Sequence, residues 1–230
     1  MNKFFEKYET FISIALIIIY LLVNSFIINT FGMMDYRSLL INCFLVIIII
    51  CFIKKLNLLK YYGLTSFPSF KEYLYFIPLL IIAFFNLSSG ININNSFKEI
   101  IIYILFMFCV GFLEEIIFRG FLFKMMEKDN KKTAIIVSSL TFGIGHIINL
   151  LNGAELIPTL IQVCYAISVG FLFVIIFYKS KSLWPCIIAH GLTNALSIFN
   201  IDNTFTLYIV PIFIVAISIS YSIYIIKNIK

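Results

Sequence analysis

Apolar residues run along this chain in long blocks separated by short polar breaks. Reading the blocks between breaks predicts eight helical spans, at about 11–31, 39–53, 73–88, 100–123, 133–150, 157–178, 183–199 and 205–226. The second and third are short, and the third contains Pro78. The longest polar connection, Lys54 to Glu72, contains Gly63 and Pro68 and reads as a loop. No repeat or low-complexity tract divides the chain. The expected architecture is an all-α polytopic membrane protein, residues 1–230 forming one transmembrane helical domain of about eight helices in a single bundle.

Composition removes the other classes. Hydrophobic residues make up 62% of the 230 and charged residues only 12%, about half the charged fraction of a soluble domain. An ordinary soluble enzyme, a disordered chain and a nucleic-acid binder are excluded. The first apolar run is long for a signal peptide and no A-x-A-like site follows it, so it reads as a helix. Five cysteines, an odd number without a CxxC pair, read as small buried hydrophobes.

The net charge of +6 has a topological reading instead. Fourteen basic residues cluster at the N-terminus, around Lys54–Lys71, Lys124–Lys132 and Lys179–Lys181, and at the C-terminus; the alternate loops hold only Arg37 and Lys98. Under the positive-inside rule both termini are cytoplasmic in a multi-pass cell-membrane protein. The excess charge also favours contact with anionic lipid.

Ionisable groups inside apolar spans are costly, and by default they mark function. The fourth span carries Glu114, Glu115 and Arg119 in FLEEIIFRGFLF, the fifth His146 in TFGIGHIIN, and the seventh His190 and Asn194 in SLWPCIIAHGLTNALS. At 1.5 Å per residue from the basic edge, Glu114, His146, His190 and Asn194 lie roughly 14–21 Å deep, near one layer. Glu115 and Arg119 are spaced i,i+4 as an ion pair, which leaves Glu114, about 100° round the helix, for chemistry. Phe142 with His146, and His190 with Asn194, repeat the i,i+4 spacing. Gly111, Gly120, Gly143, Gly145 and Gly191 lie beside these groups and predict close helix approach.

The strings Glu114-Glu115-x-x-x-Arg119, Phe142-x-x-x-His146 and His190-x-x-x-Asn194, in this order, resemble the CPBP family, the CAAX prenyl proteases and bacteriocin-processing enzymes also called Abi proteins. The resemblance covers about residues 100–200, and the family's larger architecture matches eight spans. It implies an intramembrane protease acting on a peptide or membrane-protein substrate. The residue chemistry agrees. Glu114 is placed to take a proton from water held with His146. His190 and Asn194 are placed to donate hydrogen bonds to the developing oxyanion, supported by Glu115, Arg119 and Phe142.

No cofactor is required on this reading. The alternative is zinc held by Glu114, His146 and His190. Against it stand the lack of an H-E-x-x-H motif and of an evident carboxylate partner for both imidazoles, although Glu115 suits one. A self-immunity or regulatory protein using the same fold is a further alternative, and a proton-coupled transporter another, although no inverted repeat supports the last. A pheromone-like peptide, a leader or a C-terminal tail each suits a site facing the cytoplasm.

Overall fold

The computed structural model describes residues 3–68, 72 and 76–228. Among these residues the chain is helical, with no strand. The principal helices are α1 (Lys3–Phe31), α2 (Tyr36–Lys55), α3 (Ile77–Phe84), α4 (Phe97–Glu115), α5 (Lys131–Gly145), α6 (Leu156–Ser180), α7 (Trp184–Leu196) and α8 (Val210–Asn228). α4 runs on through a π-helical segment, Ile116–Phe123, to Glu127, and α5 runs on as a 3-10 helix, His146–Asn152. The protein is a multi-pass membrane bundle.

Local sequence explains most helix ends. Asp35 caps α2 by accepting from the Arg37 amide, and Asn130 caps α5 through the Thr133 amide. Ser96 and Glu99 form a reciprocal capping box at the start of α4. Pro78 and Pro185 sit in the first turns of α3 and α7, where a missing amide hydrogen costs nothing.

Each of the eight expected spans has a helical counterpart, but the helices differ in length. Among the described residues, six are long and apolar enough to cross a bilayer. α3 extends only to Leu87 and α7 has 13 residues, about 20 Å of helix for α7 against the roughly 30 Å of a hydrocarbon core. Apolar composition alone does not distinguish a full crossing from a short helix supported by neighbours. Residues 73–75 of the expected third span, and Lys71 and Lys230 of the basic clusters, lie outside the described residues.

Side-chain contacts sort the connections onto two faces. On one, Tyr61 donates to the Lys124 carbonyl at 3.1 Å, Lys128 pairs with Glu9, Lys131 meets Tyr178, and the Leu183 amide bonds the Gly63 carbonyl at 3.2 Å. On the other, Ser25 and Asn29 bond Asn152 at 2.5 and 2.9 Å, and the Asn92 amide bonds the Phe199 carbonyl at 2.9 Å. The lysine-rich connections thus share one face, as the charge pattern predicts.

α4 packs chiefly on α7 and α2, and α6 on α5 and α8. Two of these crossings depend on glycine. A Cβ on Gly111 would stand 2.9 Å from the backbone nitrogen of Gly191, and one on Gly143 would stand 2.8 Å from that of Ile167. Gly145 does not share this role, since its Cβ would meet side-chain atoms of Leu21 at 3.7 Å and Phe118 at 3.8 Å, ordinary contact distances. Gly111→Ala is therefore expected to destabilise the protein by about 1–3 kcal/mol through forced separation of α4 and α7. Gly145→Ala is expected to be tolerated. Thermal unfolding of both variants in mild detergent checks the contrast, and equal midpoints would refute it.

Candidate active site

The chain delivers its buried polar groups from α4, α5 and α7 to one place. Glu115 and Arg119 are both 0% exposed, and Arg119 Nη1 donates to Glu115 Oε1 at 3.0 Å. The spacing predicts this pair. It does not predict the third member: His190 Nδ1 lies 2.8 Å from the same Oε1. A carboxylate paired with arginine is an acceptor, so Nδ1 donates and the imidazole presents Nε2 to the other side. There Nε2 stands 3.6 Å from Glu114 Oε2. His190 is thus held between the two adjacent carboxylates of α4, and Glu115 positions it.

Arg119 is braced on its remaining sides. Nη2 donates to the Gly170 carbonyl on α6 at 3.2 Å, and the guanidinium lies 4.1 Å over the Phe142 ring and 5.5 Å from that of Phe173. Phe142 also meets both imidazoles edge-on, with ring centroids 5.3 Å from His146 and 5.6 Å from His190. It is a wedge shared by the three groups that sequence spacing treats as separate pairs.

His146 is oriented by a change in its own helix. Its backbone amide turns to Gly143 and Ile144, where α5 tightens to 3-10, so the Phe142 carbonyl is available to the side chain. His146 Nδ1 lies 3.1 Å from that carbonyl, which can only accept. Nε2 again faces away from the anchor. Gly143 and Gly145 just upstream weaken the α-helix here.

Glu114, His146, His190 and Asn194 line one cavity of about 630 Å³. The Glu114 side chain is 13% exposed, whereas Glu115 behind it is sealed. Tyr20, on α1, donates its hydroxyl to Glu114 Oε1 at 3.3 Å. Sequence reasoning missed Tyr20, since one tyrosine of 13 in an apolar run carries no motif. Asn24, one turn further along α1, lines the same cavity and was a readable signal, as an amide within an apolar span. The π-helical segment was unreadable from periodicity; π segments gather at functional sites, and here Ser138 on α5 donates to its Phe118 carbonyl at 2.9 Å.

Residues 96–196 match the family model of type II CAAX prenyl endopeptidase Rce1-like proteins. This segment is similar to that family. No curated protein and no solved structure matches the chain. The matched segment contains all three motifs, and the family it is similar to is one of endopeptidases, in agreement with the resemblance read from the sequence.

The residues were tested against zinc. Glu114 Oε2 and His190 Nε2, 3.6 Å apart, are spaced to share an ion. Among the described residues, however, no three His, Cys, Asp or Glu side chains converge to hold one, and catalytic zinc takes three protein ligands. The donor set does not fit. Contrary to the expectation from sequence, both imidazoles do have anchors: Glu115 serves Arg119 and His190 together, and each ring is held through Nδ1.

Removing the cation from the Glu115 pair leaves a sealed carboxylate without its charge partner, a loss of about 3–5 kcal/mol. Arg119→Ala is accordingly expected to lower the unfolding midpoint or abundance far more than Glu114→Gln, which changes a group facing the cavity. Equal stability of the two variants would contradict the bracing role of Arg119.

Proposed function

We propose that this protein is an intramembrane endopeptidase that hydrolyses a peptide bond with a water activated by Glu114 and His146. The observation that carries this reading is the contrast within the glutamate pair. Glu115 is consumed by Arg119 and His190, while Glu114 faces a cavity with His146, His190 and Asn194 on the same wall.

In the proposed reaction, water sits between Glu114 and the Nε2 of His146. Glu114 takes a proton as the water oxygen attacks the carbonyl carbon, and Tyr20 keeps the carboxylate turned toward that water. His190, held by Glu115 at Nδ1, donates to the oxyanion from its other ring nitrogen, with the Asn194 amide as second donor. Glu114 then returns its proton to the leaving nitrogen as the carbon–nitrogen bond breaks. The substrate is a peptide or a membrane protein, and cleavage needs its backbone unwound, which a protein-lined cavity permits at membrane depth.

Glu114→Gln and His146→Ala are each expected to reduce cleavage at least 100-fold while the purified proteins keep wild-type unfolding midpoints. Near-normal cleavage by either folded variant would overturn the assignment. Comparing membrane peptides from cells with and without Glu114→Gln identifies the substrate.

Because no three ligands converge among the described residues, activity is expected to survive phenanthroline and EDTA, with no stoichiometric zinc in the purified protein. Zinc at one equivalent, together with activity lost on chelation and restored by zinc, would establish the metal-dependent alternative.

A further inference from the structure

Glu114 lines two cavities. Besides the space of about 630 Å³ that it shares with His190 and Asn194, a second of about 50 Å³ lies against α1. Leu21, Asn24 and Ser25 of α1 face Phe118, Gly145 and Ile148 across it. Glu114, Phe142 and His146 line both spaces, whereas His190 and Asn194 line only the larger. The carboxylate is addressed to both sides as well. Its Oε2 stands 3.6 Å from His190 Nε2 on α7, and its Oε1 accepts from Tyr20 on α1 at 3.3 Å.

Size and polarity restrict what the small cavity can take. A space of about 10–15 Å³ already accommodates a water molecule, so 50 Å³ has room for water and none for a peptide segment. Much of its polar lining is spent within the protein. Asn152 Oδ1 accepts from both Ser25 and Asn29, and Asn149 donates to Gln162 at 2.9 Å. What is left over accepts. Asn24 Oδ1 is buried with no hydrogen-bond partner, Glu114 Oε1 receives one hydrogen bond, and the Nδ1 contact of His146 leaves its Nε2 as an acceptor. A buried acceptor without a donor costs about 1–3 kcal/mol. Water brings two hydrogens, and it is the donor that fits this volume.

We propose that the small cavity is the water site of the reaction and that Asn24 is its positioning residue. The amide oxygen accepts one hydrogen of a water whose other hydrogen goes to Glu114 Oε1, and that water replaces the one consumed at each turnover. Water is thus held on the α1 side of the carboxylate and the peptide carbonyl on the His190–Asn194 side. Asn24 lies outside the matched residues 96–196, so no motif of that segment marks it. Its part in turnover rests on the peptidase reading; the hydration of the cavity does not.

Hydration is tested by X-ray radiolysis of the purified protein, in which hydroxyl radicals born from bound water mark the side chains they touch. Phe118 lines the small cavity and is 1% exposed, while Phe121, 0% exposed, lines neither cavity. Phe118 is expected to be hydroxylated and Phe121 to stay unmarked, and Asn24→Leu is expected to lose the Phe118 mark. An unmarked Phe118 in the wild type, or a mark unchanged by Asn24→Leu, would overturn the proposal.

Turnover is read as kcat and KM on a cleaved peptide. Asn24→Leu is expected to lower kcat about tenfold with KM unchanged, and Asn24→Ser, whose hydroxyl also accepts, to recover most of the loss. A packing role alone would not be rescued by the smaller serine. Wild-type kcat in Asn24→Leu, or a change confined to KM, would remove Asn24 from the handling of water and sink the idea. Full cleavage by Glu114→Gln would instead refute the peptidase reading, and the radiolytic marks would still decide whether the cavity holds water.

Discussion

One oxygen atom, Oε1 of Glu115, holds the site together. It accepts from Arg119 and from His190 in a region where neither Glu115 nor Arg119 has any exposed surface. Taking such charges out of water costs several kcal/mol per ion, so the arrangement survives only with good geometry and further contacts. Arg119 supplies them by reaching the Gly170 carbonyl and the Phe142 ring. Four helices, α4 to α7, are thereby registered at one point. A lysine in place of Arg119 would keep the charge but lose the planar fork that reaches α4 and α6 together. The pair is also incompletely satisfied, since Glu115 Oε2 and Arg119 Nε have no hydrogen-bond partner. The core there is strongly specified, and little substitution can be absorbed.

The same point divides the bundle into a sealed half and an open half. On the basic side, phenylalanine and branched aliphatic residues fill the space. On the other side two of the eight principal helices are too short to cross, and irregular backbone enters the membrane-spanning length: the 3-10 segment His146–Asn152 and the π segment Phe205–Ile209. In hydrocarbon such backbone would carry unsatisfied groups, and it is tolerated only where it lines a cavity or lies within protein. The lining of the cavity by His146, Asn149, Asn152 and Thr206 fits that rule. Access to Glu114 is confined to this side, because the packed half leaves no comparable opening.

The sequence was most legible where burial is most expensive. Glu114, Glu115, Arg119, His146 and His190 stand out because ionisable residues in apolar spans are few, and their shared depth followed from simple helical rise. The placement of the lysine loops on one face was equally readable, since charge alternation survives small errors in span boundaries. Three features were hidden. Helix length was one, because α7 has the composition of a span without its extent. A second was the double use of Glu115, since i,i+4 spacing reports partners within a helix and is silent about His190, 75 positions away. The third was the direction in which the cavity opens. That depends on which half of each helix carries bulk and which carries amides, and the amides Asn24, Asn149 and Gln162 have meaning only once α1, α5 and α6 are placed side by side.

Phe142 connects these levels. A phenylalanine among 26 has no distinguishing chemistry, yet its ring bears the Arg119 guanidinium and touches both imidazoles. With its carbonyl it also fixes the Nδ1 of His146, while Glu115 fixes that of His190. The two histidines are therefore anchored independently, one on backbone and one on a carboxylate, with an aromatic ring against both. That wedge keeps the two imidazoles in different environments, His146 held by a backbone carbonyl and His190 beside two carboxylates. A division of labour between chemically identical side chains requires different environments, and here a single apolar residue supplies part of both.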